Sequence, residues 1–172
     1  MQKTPVFSVV GFSGSGKTTF LVKLVTELKK FHIRLAVIKH DAHGFEMDQE
    51  GKDTWRFAQA GADVVAISAP SQYAILARNR TEKPLDELIS MVSGDVDLVL
   101  TEGYKYGDKP KIEVYRLGNG KPMVHPPEEL IAVVTDAPLH TETPCFALDD
   151  AAGAARFLMG QINGKIEEEM KR

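Results

Sequence analysis

Residues 11–19 read GFSGSGKTT, and the stretch from Gly11 to Thr18 satisfies G-x-x-x-x-G-K-[ST] at every constrained position. Each residue type has a chemical reason to be there. Glycines let the backbone curl so that successive N–H groups point inward and form a nest for anionic oxygens. A helix opening at Lys17 adds the partial positive charge of its N-terminus. The Lys17 ammonium can reach phosphate oxygens, and the Thr18 hydroxyl is the kind of group that ligates Mg²⁺. Gly11, Ser13, Gly14, Ser15, Gly16, Lys17, Thr18 and Thr19 are therefore the candidate contacts for a nucleoside triphosphate. The bland alternative is a glycine-serine turn with an incidental lysine. A buried strand before the stretch and an amphipathic helix after it favour the phosphate loop.

Such a site needs a further acid for the metal, usually at the end of a buried strand. VDLVLTEG at 96–103 offers Glu102, whereas Asp97 lies at the opposite end of that strand. A solvated loop acid is the other reading of Glu102. The polar stretch 41–53 gathers Asp41, His43, Glu46, Asp48 and Asp53 just after His40. It leaves the same sheet edge as the phosphate loop, so Asp41 and Asp48 are candidates for the metal shell. His40 and His43, at i and i+3, could hold a transition metal. With no cysteine and no third histidine nearby, polar loop chemistry is the simpler reading. AVVTDAP, at 132–138, closes a late strand with Asp136. A carboxylate there could accept from the N1–H and N2–H₂ edge of guanine, an arrangement adenine cannot match, or it could cap a turn.

The elements that must carry these residues follow from periodicity. PVFSVVG (5–11) predicts a buried strand, and Phe20, Leu21, Leu24, Val25 and Leu28 recur at helical spacing. Strands are expected at 33–40, 63–69, 72–78, 96–103, 111–117, 129–136 and 144–148, and helices near 54–62, 83–92 and 149–162, the last with an Asp N-cap. Pro70-Ser71 splits two of the strands into a hairpin. KIEVYRL (111–117) alternates like a half-exposed strand. With QYAILAR (72–78) it suggests either an extension whose edges need covering by a second copy of the chain or a simple edge hairpin. Residues 163–172 read as a charged, frayed tail. The alternation of strands and helices predicts an α/β, P-loop NTPase-like three-layer sandwich. Its mostly parallel sheet would carry helices on both faces and an added β-hairpin, in a single nucleotide-binding domain over 1–172.

Bulk properties narrow the class. A chain of 172 residues with 43% hydrophobic content suits one folded domain. A formal charge of -3 argues against nucleic acid as the main partner. No apolar run approaches the length of a membrane span, and the N-terminus lacks a signal peptide. The single cysteine, Cys145, excludes an intrachain disulfide and fits a reducing cytoplasm; its apolar context TPCFAL reads as core packing.

Three stretches together resemble a known family. VVGFSGSGKTT, VIKHDAHGFEMDQEGKDTWRFAQAGAD and LVLTEGYK, spread over residues 5–136, are similar to molybdopterin-guanine dinucleotide biosynthesis protein B, MobB. The phosphate loop is generic, but its combination with KH-D-x-H, D-x-x-G-K-D-[ST]-x-R and TEG-[YF]-K is specific. The resemblance implies a homodimeric GTP-binding protein with weak GTPase activity. Its partners would be the molybdopterin guanylyltransferase, MobA, and molybdopterin itself. It also implies phosphate and metal contacts at Gly14, Gly16, Lys17, Thr18 and Thr19, with Glu102 and, more weakly, Asp48 at Mg²⁺. No catalytic base stands out. Arg56 and Arg78 are available as arginine fingers but read better as surface charge. An accessory protein of cofactor biosynthesis is thus expected. The alternatives are a small-molecule kinase or ligase, disfavoured by the lack of an Arg-rich lid, and a structural protein with a vestigial loop, disfavoured by the intact Lys17-Thr18 pair.

Overall fold

The computed structural model describes residues 4–170, with side chains through Gly164. In chain order the elements are β1 (Val6–Val10), α1 (Lys17–Lys29), β2 (Leu35–Lys39), α2 (Asp53–Gln59), β3 (Val64–Ala69), β4 (Gln72–Ala77) and α3 (Leu85–Val92). They continue with β5 (Leu98–Glu102), β6 (Lys111–Tyr115), β7 (Ala132–Thr135), β8 (Cys145–Phe146) and α4 (Ala151–Met170). Two compact units result, one from residues 4–40 and 89–170, the other from Asp41–Leu88.

The larger unit is built on a six-stranded sheet ordered β2-β5-β1-β6-β7-β8, parallel at every pairing. Every residue of β1 and β5 is buried, as expected for central parallel strands covered on both faces. The two polar residues in their midst satisfy each other, Thr101 Oγ1 donating to Ser8 Oγ at 2.8 Å. α1 turns Phe20, Leu21, Leu24 and Leu28 inward, and α4 adds Ala154, Ala155, Leu158 and Ile162. The small residues of α4 allow the two helices to pack closely, so one core joins them to β1, β5, β6 and β7. Asp150 caps α4, accepting from the Gly153 N–H at 2.8 Å, as its sequence position predicts. β1 lies between β5, which leads to β2, and β6, which leads to β7. Its carboxyl end is therefore the point where strand order reverses and where sheets of this kind hold ligands.

The smaller unit contains α2 and the antiparallel hairpin β3–β4, with Val64 opposite Ala77 and Ala69 opposite Gln72. The expected turn at Pro70-Ser71 joins its strands.

Three expectations are corrected. β6 is no half-exposed extension; it sits in the main sheet between β1 and β7 with Ile112, Glu113 and Val114 buried. Its alternation misleads because Glu113, 1% exposed, accepts the Val124 and His125 N–H groups at 2.6 and 3.0 Å and so is satisfied inside. Cys145 is exposed rather than packed: on the edge strand β8 it is Phe146 that leans on the core, and alternate residues face opposite ways. The charged segment from 163 continues α4 as far as Met170, since Lys, Glu and Met all favour helix. Lys171 and Arg172 fall outside the described residues.

Candidate functional site

β1 ends at Val10, and the next six residues turn over its carboxyl end into α1. A side chain at Gly11 would collide with the Val114 carbonyl oxygen of β6, so only glycine lets the loop leave the sheet there. Ser15 N–H donates to the Phe12 carbonyl at 3.2 Å and tightens the loop. Gly16 occupies the N-cap of α1 with φ 94, and no side chain caps that helix. The leading N–H groups of α1 are thus left without a side-chain acceptor. Ser15 Oγ lies inside the loop, 2.9 Å from where a Cβ on Gly11 would stand. The residue is 2% exposed and its hydroxyl has no hydrogen-bond partner. A buried orphan hydroxyl costs about 1–3 kcal/mol unless a ligand completes it.

At the foot of the loop, Thr18 Oγ1 donates to Glu102 Oε1 at 2.7 Å. The parallel register sets this contact: Val9 of β1 is level with Glu102 of β5, which places both strand ends side by side. Glu102 is 8% exposed, so it is a buried strand-end carboxylate rather than a solvated loop acid. Among the described residues no three His, Cys, Asp or Glu side chains form a metal cage. Mg²⁺ suits what is present, because it normally takes one or two protein oxygens and completes its shell with water and phosphate. Lys17 Nζ donates to the Phe12 carbonyl at 2.9 Å. Burial lowers the pKa of its ammonium from the ordinary lysine range, the Glu102 charge opposes that, and Lys105 and Lys39 reinforce it. An anion in the loop would remove that penalty.

The loops after β6 and β7 close over the same strand ends. Asn119 Nδ2 donates to the Ser13 carbonyl at 3.2 Å. Arg116 Nη2 would lie 3.7 Å from a Cβ built on Gly16. Asp136 is exposed, and its Oδ1 accepts the Leu117 N–H at 2.8 Å, so it holds the β6 loop as a cap would. Arg116 and Asn119 were missed by sequence reasoning. Arg116 directly follows the end of β6 and Asn119 lies in the turn beyond it, positions that would have flagged them had β6 been assigned to the main sheet.

Other candidates lie elsewhere. Asp48 belongs to the smaller unit, where its Oδ1 accepts from Thr54 Oγ1 at 3.0 Å and the Gln49 N–H at 2.8 Å at the entry to α2. Asp41 accepts the His43 N–H at 2.9 Å. The His40 ring packs 4.9 Å from that of Tyr104. Arg56 pairs weakly with Asp53 at 3.9 Å on the surface of α2, and the Arg78 N–H donates to the Asp63 carbonyl at the base of the hairpin.

Comparisons with known proteins agree with this geometry. The profile of the family described as Molybdopterin guanine dinucleotide synthesis protein B, MobB, matches residues 6–136. A molybdopterin-guanine dinucleotide biosynthesis adapter protein from Haemophilus influenzae is 37% identical over 158 residues, 91% of this chain and 89% of that one. The adapter protein of Escherichia coli is 34% identical over 164 residues, 90% of this chain and 91% of that one. Among solved structures, Bacillus subtilis MobB superposes with a TM-score of 0.72 at 30% identity, covering 91% of this chain and 97% of its own. These neighbours share the P-loop NTPase-like fold, a parallel sheet flanked by helices. Profile, relatives and fold together establish that this chain belongs to the MobB family of molybdenum cofactor biosynthesis proteins.

Proposed function

We propose that the chain binds GTP with Mg²⁺ in the 11–18 loop and acts as a cytoplasmic adapter in the formation of molybdopterin guanine dinucleotide, beside the guanylyltransferase MobA. The observation that carries this reading is the 2.7 Å bond between Thr18 and Glu102 beneath a glycine loop. It pairs a metal-binding hydroxyl with a metal-binding carboxylate at the strand end where a polyphosphate would lie. Lys17 would neutralise phosphate charge, and Gly14, Gly16, Ser15 and Thr19 would supply hydrogen bonds. Glu102 and Thr18 would hold Mg²⁺. The free oxygen positions of the Asp136 carboxylate would read guanine. When bound, the metal ion neutralises phosphate charge; the chain's own residues orient the polyphosphate.

Weak hydrolysis at most fits this arrangement. Charge stabilisation of the transition state commonly needs an added arginine, worth about 10³–10⁵ in rate. Of the described arginines Arg116 stands beside the loop, its Nη2 3.7 Å from a Cβ built on Gly16, and the turnover measurement reads what it contributes. No described helix is long and apolar enough to cross a membrane. A homodimer is proposed because the hairpin leaves Val64, Tyr73 and Ile75 exposed on one face. Titration of GTP and ATP, with and without Mg²⁺ and the transferase, tests the reading. Mg²⁺-dependent preference for GTP is expected. Turnover above about 1 per second would instead favour a kinase or ligase.

A further inference from the structure

Three ammonium groups gather on one residue of the phosphate loop. Lys17 Nζ holds the Phe12 carbonyl, Lys105 Nζ lies 4.5 Å from the centre of the Phe12 ring, and Lys121 Nζ lies 5.3 Å from it. Lys17 belongs to the polyphosphate site already described. The other two come from separate loops, after β5 and after β6. Neither makes an ion pair with a carboxylate among the described residues. Like charges repel, so the fold must hold both ammoniums there against their mutual field.

The means by which it does so are visible. Tyr104, a non-glycine residue, sits in the left-handed region at φ 51 immediately before Lys105. That conformation costs of order 1–3 kcal/mol and persists only where the surroundings over-determine it. Here the Tyr104 ring packs on His40, the Gly107 N–H donates to the Tyr104 carbonyl at 3.0 Å, and the His125 ring nitrogen Nε2 bonds the Lys105 carbonyl at 2.6 Å. The loop carrying Lys121 is fixed just beyond it. The buried Glu113 carboxylate accepts the N–H groups of Val124 and His125. His125 thus ties the two lysine-bearing loops together: its N–H binds Glu113 of β6 and its ring binds the loop after β5. A strained turn and a buried acid both serve to present two unpaired cations at one aromatic ring, which itself favours cations through its negative face.

We propose that Lys105 and Lys121, arranged by Phe12, form a second anion subsite beside the nucleotide loop, and that it takes the phosphomonoester dianion of a second substrate. The subsite rests on the reading that Lys17 and its loop hold the polyphosphate of GTP. Two ammoniums match the two charges of a phosphomonoester, and their place next to the loop would set that phosphate beside the nucleotide's own. An adapter with both sites filled would present two phosphorylated partners together.

The test uses the full chain with phenyl phosphate as probe, followed by ³¹P line broadening. Wild-type protein preloaded with a non-hydrolysable GTP analogue and Mg²⁺ is expected to bind phenyl phosphate saturably. Dimethyl phosphate, a monoanionic diester, should bind several-fold more weakly. The double variant Lys105→Ala with Lys121→Ala should weaken phenyl phosphate binding about tenfold while nucleotide affinity falls less than about threefold. Lys17→Ala should do the reverse, losing nucleotide and keeping the probe. The proposal is overturned if the preloaded protein does not bind the probe, or if the double variant binds it as the wild type does. It is equally overturned if the double variant loses nucleotide as Lys17→Ala does, because the two lysines would then serve the nucleotide's own phosphates. If wild-type protein binds no nucleotide but still binds the probe through Lys105 and Lys121, the loop assignment falls and the subsite stands.

Discussion

The carboxyl ends of the main sheet and the β3–β4 hairpin differ in the kind of group they gather, polar in the first and apolar in the second. At the sheet ends, polar groups are few and nearly all engaged: Thr18 with Glu102, Asn119 with Ser13, Asp136 with Leu117, Glu113 with two backbone N–H groups. The exceptions are the buried Ser15 hydroxyl and the Lys105 and Lys121 ammoniums that lie over the Phe12 ring. In the hairpin it is apolar groups that lack partners. Cross-strand register sets Val64, Tyr73 and Ile75 on one face, and their exposures are 59%, 77% and 63%. A two-stranded hairpin of that kind is marginal in water by itself. The proposed polyphosphate would complete the first region, and the proposed second copy of the chain would cover the second. An orphaned donor in a glycine cradle calls for an anion, whereas an exposed β-face calls for another protein surface.

The largest expected effect breaks the first half of this contrast. Lys17→Ala removes the ammonium from the loop and should weaken GTP binding about a hundredfold by calorimetry. Since burial already disfavours the Lys17 charge in the free protein, the fold itself should be no less stable. An unchanged affinity would show that the cradle holds no polyphosphate. Next in size is the hairpin. Tyr73→Lys with Ile75→Lys places two charges on the exposed face and should weaken dimerisation about thirtyfold in sedimentation experiments. GTP affinity should not follow. A dimer that survives both charges would mean that another surface, or none, joins the copies.

The same contrast explains what the sequence disclosed. The glycine loop between β1 and α1 was legible because its signal is local: glycines, Lys17 and Thr18 lie close together, and the flanking periods place them. Glu102 was legible because a buried strand ending in an acid is a local pattern too. Arg116 and Asn119 were hidden because they matter only if β6 lies against β1, a pairing between residues about a hundred positions apart in which Val10 meets Glu113. Glu113 concealed that pairing by looking like a solvent-facing residue. Lys105 and Lys121 were unreadable for a related reason, since their common target, Phe12, is distant from both in sequence. The hairpin itself was read correctly from Pro70-Ser71 and its flanking runs. Cys145 went wrong because an edge strand of two residues buries only one of them.

A smaller effect sharpens the account of the nucleotide base. Asp136→Asn keeps an acceptor for the Leu117 N–H and so should leave the loop in place. It removes the charge that would favour the two N–H donors of guanine. The ratio of GTP to ATP affinity should fall about tenfold. A ratio that does not move assigns Asp136 to loop support alone.

The smallest effect concerns the opposite end of β5, where Asp97 has no ligand to await. Its carboxylate accepts from the Arg34 side chain at 2.9 Å and from the Arg34 N–H at 2.7 Å, joining the start of β5 to the chain just before β2. The Arg34 side chain, then its backbone N–H, hold the Asp97 carboxyl below the usual carboxylate range. A carboxyl depressed in the folded state stabilises the fold at every pH above its unfolded value, about 3.9. That contribution is lost as pH falls through the lower folded value. Asp97→Asn should therefore lower Tm near neutrality by a few degrees at most, because both side chains are largely solvated. The Tm curves of variant and wild type should converge in acid below the ordinary aspartate range, and at neutral pH they should approach each other as salt is raised. A gap that persists through the acid limb would mean that the hydrogen bonds to Arg34, and not the charge, hold the two strand ends together.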